Sequence, residues 1–223
     1  MTHTKTIKPS LVIATALSLA CLAGVAKADD EQIQRGKAAA GACVACHQAD
    51  GNGLSQEATS WPRLAGLPAA YLDAQLHAFK SGERESAEMK PFATMLDDDQ
   101  IADVSAYFSS LPAKLPAATE TFSDETLARG EQLALSGDWN RYIMPCISCH
   151  GPANQGVGET FPGIAGQHYA YLSQQLHSWK DGKRTDDPLD LMHAVSKRLD
   201  ESDMDAVSAW LSTQQPASSP DSE

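Results

Sequence analysis

The chain has 223 residues, with 17 Lys and Arg against 29 Asp and Glu and a formal net charge of −12. That length admits one ordinary domain or two small ones. The acidic excess excludes a surface suited to nucleic acid or anionic lipid; it favours solubility and partners with a basic docking patch, and is equally compatible with a solvated surface that has no particular partner.

In chain order, residues 1–28 read as a cleaved export signal. Lys5 and Lys8 give a positive start, Leu11 to Ala26 form an apolar run, and Ala26-Lys27-Ala28 is a small-x-small cleavage site before Asp29. An uncleaved anchor is the alternative, but the run is too short and too Ala-rich for a convincing transmembrane span. Cys21 belongs to this leader, because Ser18 stands where a lipoprotein site wants a large aliphatic residue. Without the leader's three Lys the formal charge is −15, and the expected location is the periplasm.

The rest of the chain is a tandem repeat. Cys43-Val44-Ala45-Cys46-His47 is answered 103 residues later by Cys146-Ile147-Ser148-Cys149-His150. From Trp61 to Arg84 the two copies share 12 of 24 residues at an offset of 100, which identifies a duplication and not a chance motif pair. Leu96-Asp97 is answered by Leu199-Asp200, and Arg35-Gly36 by Arg129-Gly130. Two modules of small-domain size follow: a first domain over 29–112, a linker over 113–123 and a second domain over 124–213. The Pro- and Ser-rich stretch 214–223 is expected to be a disordered tail.

Each module predicts helices and almost no strand. The first is expected to have helices over Asp30 to Ala42, over Ala69 to Lys80 with an apolar stripe at Tyr71, Leu72, Leu76 and Phe79, and from Asp97-Asp98-Asp99-Gln100, a capping-box start, to just before Pro112. The second repeats them over Asp124 to Ser136, His168 to Lys180 and Asp200 to Ser212. Gly36 and Gly130 lie on first helices, Tyr107 and Trp210 on last ones. A glycine at that place lets two helices cross closely beneath an aromatic ring.

Cys-x-x-Cys-His is the attachment signature of c-type haem: two thiols add to the two vinyl groups on one porphyrin edge, and the adjacent histidine reaches the iron. A zinc site, a thioredoxin-like dithiol or disulfides could use the cysteines, but none explains a histidine directly after both pairs. The reading is two covalently bound c-type haems, on Cys43 and Cys46 and on Cys146 and Cys149, with His47 and His150 as axial iron ligands. Methionine is a common partner to histidine and raises the reduction potential. Met89 lies 42 residues after His47, and Met192 lies 42 after His150; Met95, Met144 and Met204 have no matched partner. Met89 and Met192 are therefore the expected sixth ligands. His77 and His177 also recur and are the rivals for a bis-histidine iron, although a surface or propionate-contacting role suits them better. His193 occurs once and reads as a bystander.

These residues resemble the cytochrome c4 family of two-domain class I cytochromes. The match covers nearly all of the mature chain and rests on both Cys-x-x-Cys-His motifs, the Pro-x-(Leu/Ile)-Ala-Gly segments, the Tyr-Leu-x-x-Gln-Leu helices and the two registered methionines. The resemblance implies an all-α fold of two tandem class I cytochrome c domains, each a small helical fold around one haem, with the haems close enough for fast internal transfer. It implies that the carbonyls of Pro62 and Pro162 accept a hydrogen bond from the ligand histidines. It also implies electron transfer from a quinol-oxidising bc complex to a terminal oxidase or periplasmic reductase, with loose membrane association through such partners. Two departures stand out in the second module: about nine extra residues before Cys146, including Trp139, Asn140 and Arg141, and three before Met192, in the Asp186 to Asp190 region. Both are expected to alter the haem edge or the partner surface.

Two six-coordinate irons leave no open position, so the expected function is electron carriage, not enzymatic turnover. The alternative is the electron-transfer subunit of a periplasmic dehydrogenase such as a flavoprotein or alcohol dehydrogenase. A di-haem peroxidase requires a displaceable ligand, against which the matched methionines stand.

Overall fold

The computed structural model describes residue 1 and residues 30–56, 59–117 and 120–217. The expected leader, apart from its first residue, lies outside them, as do the last six residues. Among the described residues no helix is long and apolar enough to cross a membrane.

Among the described residues ten α-helices form two similar sets: α1 Asp30–Ala39, α2 Val44–His47, α3 Ala69–Ser81, α4 Met89–Met95 and α5 Asp98–Ser110, then α6 Asp124–Leu135, α7 Ile147–His150, α8 Tyr169–Lys180, α9 Leu191–Ser196 and α10 Glu201–Ser212. Each set has its own core. Leu67, Leu72, Val104, Tyr107 and Phe108 gather in the first half, and Leu133, Ile143, Leu172, Met204, Val207 and Leu211 in the second.

The helix starts follow the local chemistry. Asp97 accepts the Gln100 amide at 2.8 Å while the Gln100 side chain accepts the Asp97 amide, so the capping box is real. Asp200 and Asp203 do the same for α10. In each half the first helix crosses the last at its glycine. A Cβ on Gly36 would stand 1.9 Å from the Asp103 carbonyl oxygen and 2.8 Å from the Tyr107 Cβ; on Gly130 it would stand 2.1 Å from the Ala206 oxygen and 2.6 Å from the Trp210 Cβ. The recurring glycine is the condition for the crossing.

Strand is as scarce as expected, and one expectation is corrected. A short antiparallel hairpin, β1 Leu54–Gln56 with β2 Thr59–Trp61, follows α2, and the second half keeps only a Val157–Phe161 bridge there. Three residues per strand are too few to show an alternating pattern. The tail, expected to be disordered, is packed up to residue 217. Gly166 meets the Pro216 ring, Pro216 is buried, and Gln155 donates to the Gln215 carbonyl. The described ends of the linker are tied down as well, with Lys114 bonded to Asn52 and Asp50 and the Phe122 ring against Tyr169.

The halves meet along a polar seam. Arg63 is buried and donates to the carbonyls of Ala65 at 2.7 Å, Ala165 at 3.0 Å and Gly166 at 3.3 Å. Its own amide and carbonyl bond the Gln167 side chain, each at 2.9 Å. Further along, the Arg84 and Arg184 segments pair antiparallel, and the Thr185 amide donates to the Glu83 carbonyl.

Candidate haem sites

Each Cys-x-x-Cys-His motif is a single helical turn that sets both sulfurs and the histidine on one short element. The histidines point inward and are buried. The His47 Nδ1–H donates to the Pro62 carbonyl at 2.9 Å, and the His150 Nδ1–H to the Pro162 carbonyl at 2.8 Å. A carbonyl can only accept, so Nδ1 carries the proton and Nε2 is the basic nitrogen. Burial lowers both imidazoles below the ordinary histidine range, against the bond to the proline carbonyl. Each is therefore a neutral, oriented nitrogen donor. An aromatic ring stands edge-on to each imidazole, Phe108 at 6.5 Å and Phe161 at 6.4 Å between centroids.

In the first half a cavity of about 410 Å³ opens beside His47. Cys43, Cys46 and His47 line one part of it and Met89 another, with apolar walls from Leu72, Leu76 and Val104. The structure thus brings the four expected first-half haem ligands, with Pro62, to one space. Met89 opens α4, its amide donating to the Ser86 hydroxyl at 3.0 Å. Met192 occupies the second position of α9 and is half-buried.

The rival readings fare differently. Among the described residues no group of three or more His, Cys, Asp or Glu could hold a metal ion, and the four cysteines are unpaired. Burial raises the Cys43 thiol and pushes Cys146 up to about 12, so both are protonated thiols at neutral pH. His77 lies at the surface beside Asp73, 3.6 Å away. His177 is held between the Ser173 carbonyl and Glu201, each at 2.7 Å, and the Glu201 hydrogen bond raises its pKa. Neither histidine lines the cavity. His193 does more than expected: its Nδ1–H donates to the Trp179 carbonyl at 2.6 Å and ties α9 to α8.

The inserted segment before Cys146 is a tight turn closed by the Asp138–Ile143 bridge. Arg141 reaches inward to buried Asp203 at 2.6 Å, beside Arg129, while Trp139 and Tyr142 remain 67% and 79% exposed.

Sequence reading missed the seam side chains, although Gln75/Gln175 and Arg84/Arg184 are identical in the repeat. Arg84 and Arg184 are only 6% and 4% exposed and line the same cavity. Arg84 donates to Gln75, Tyr171 and Gln175, all neutral. A buried guanidinium needs a counter-charge. The carboxylates of a haem supply one, so the apolar walls, paired sulfurs, oriented nitrogen and buried arginines together fit that cofactor.

A helical fold built twice around such a site is that of a tandem c-type cytochrome. The comparisons with known proteins agree. The cytochrome c family model matches residues 33–112 and 128–215. The "Thiosulfate dehydrogenase electron acceptor" of Thiomonas intermedia is 45% identical over 176 residues, 78% of this chain and 79% of that protein. Cytochrome c4 of Pseudomonas aeruginosa is 35% identical over 178 residues, 79% and 85% of the two chains. The solved thiosulfate dehydrogenase (TsdBA) of Marichromatium purpuratum superposes with a TM-score of 0.74 at 38% identity; the match covers 84% of this chain and 41% of that longer one. The chain belongs to the cytochrome c family, in its two-domain, cytochrome c4-like branch. It carries covalently bound c-type haems and is a di-haem electron-transfer cytochrome. The peroxidase alternative finds no support.

Proposed function

We propose that this chain is a periplasmic electron carrier without turnover of its own, and that its donor is a dehydrogenase of the thiosulfate-oxidising kind. A relative with 45% identity is named as the electron acceptor of such an enzyme, and a structural neighbour joins a similar unit to a longer chain. These similarities favour a dehydrogenase donor over a quinol-oxidising bc complex; a terminal oxidase or periplasmic reductase remains the acceptor. The arrangement proposed is thioether attachment at Cys43, Cys46, Cys146 and Cys149, with His47 and Met89 on one iron and His150 and Met192 on the other.

When bound, haem supplies a one-electron centre. The chain's residues hold that centre closed and still. The Pro62 and Pro162 carbonyls fix the imidazole planes and keep Nε2 basic. Met89 and Met192 would supply the second ligand to each iron, and the apolar walls would exclude water. The observation that carries the reading is the oriented, neutral His47 on the same cavity as Met89.

The test is an optical titration of the mature two-haem protein. Full reduction by a thiosulfate dehydrogenase with thiosulfate, and reduced haems that ignore carbon monoxide, are expected. Ready binding of carbon monoxide overturns the closed-site reading, and no reduction by that enzyme overturns the donor. Met192→Ala is expected to retain both haems, open one of them to carbon monoxide and lower one potential by a sizeable part of the roughly 0.8 V range that axial ligands span. An unchanged redox titration removes Met192 from the ligand set.

A further inference from the structure

The seam presents two equivalent buried arginines and gives a carboxylate to only one. Arg184 donates through Nε and Nη2 to the two oxygens of Asp186, at 2.8 and 3.3 Å, and also reaches Gln175 at 2.9 Å and Gln75 at 2.6 Å. Among the described residues no carboxylate bonds Arg84 directly. Two residues after Arg84 stands Ser86, whose hydroxyl is engaged by the Met89 amide. In the second half Asp186 turns to Arg184, and its neighbour Asp187 accepts the His193 amide at 3.0 Å. The segment that lengthens by three residues thus performs two tasks where its counterpart performs one.

Arg84 stacks on Phe79 at 4.5 Å, and both line the first cavity. Arg184 stacks on Trp179 at 4.0 Å; it borders the first cavity too, and repetition sets it toward the second site as Arg84 is set toward the first. Burial alone would raise the Asp186 carboxyl, but the hydrogen bonds and charge of Arg184, with Arg84, hold it below the ordinary range, so it is ionised at neutral pH. Oxidised haem iron carries one more positive charge than reduced iron. A nearby carboxylate therefore stabilises the oxidised state and a guanidinium the reduced one, with little screening in a buried setting.

We propose that Asp186 makes the two haem sites electrostatically unequal: by neutralising Arg184 it lowers the potential of the second site more than that of the first, where no described carboxylate bonds Arg84. The inference rests on the ligation proposed above and concerns a tuning residue that does not touch the iron.

The test is a spectroelectrochemical titration of the mature two-haem protein carrying Asp186→Asn, and independently Asp186→Ser, which copies Ser86. The expected result is a rise in the potential that Met192→Ala lowers, a smaller movement of the other, and a return toward the parent in Asp186→Glu. No shift, an equal shift of both potentials, or a rise confined to the site that Met89→Ala lowers overturns it. Haem content and spectra of the same samples separate the two claims. If Met192→Ala leaves both potentials at parent values, the ligation fails; Asp186 is then judged on the gap between the two potentials, which must change in Asp186→Asn.

Discussion

Gly130→Ala is expected to destabilise the protein by about 3 kcal/mol, lowering the thermal midpoint by roughly 6–12 °C. The added carbon would lie 2.1 Å from the Ala206 carbonyl oxygen, 2.8 Å from its carbon and 2.6 Å from the Trp210 Cβ. Two of these atoms are backbone and none belongs to the free end of a flexible side chain, so α6 and α10 must part. Parting them loosens Leu133 and Ala134 on one helix from Met204, Val207 and Leu211 on the other. Gly41→Ala is the control, because a Cβ there meets nothing within 4 Å. Thermal unfolding followed by circular dichroism decides the matter. A midpoint for Gly130→Ala equal to that of Gly41→Ala would show that the crossing tolerates a methyl group.

Arg63→Ala is expected to loosen the two halves from each other, at a cost of about 3 kcal/mol. The guanidinium serves carbonyls of both halves and among the described residues has no carboxylate partner; burial pushes its pKa down to about 10. Removing it relieves one desolvated charge but leaves the Ala65 and Ala165 carbonyls without their donor, at about 1–3 kcal/mol for each buried group. The paired bonds between Gln167 and the Arg63 backbone stay, so the seam is weakened and not abolished. Denaturant unfolding should show a lower midpoint and a broadened or split transition as the halves cease to unfold together. A single transition at the parent's midpoint would mean that the Arg63 side chain adds nothing to a seam held by the Gln167 bonds and the Arg84 and Arg184 cluster.

Much of this molecule was legible in one dimension, and the legible part has a common cause. The haem-attachment motifs are local: five consecutive residues make one helical turn, so spacing alone states their chemistry. The duplication then extended that reading, because a residue matched in register must serve both copies. It picked out Met89, which lines the cavity with His47, and Gly36 and Gly130, which lie at the helix crossings. Capping at Asp97 and Asp200 is equally local.

What escaped the sequence lies where distant polar groups meet. The Gln and Arg pairs recur as faithfully as the methionines, yet a polar side chain on an amphipathic helix, or in the segment just after it, reads as solvent-facing until a second surface is laid over it. His193 looked idle because its partner, the Trp179 carbonyl, belongs to another helix. The inserted Arg141 turns inward to Asp203, which its position in a loop did not announce. Sequence by itself determined the class, the cofactor type, the helical repeat and the close helix crossings, since each follows from spacing along one chain. The tertiary structure alone decided which buried charges are paired, which nitrogen of each histidine is protonated and how the halves adhere. Those depend on partners 12 to 102 residues away, brought within hydrogen-bond distance only by the fold.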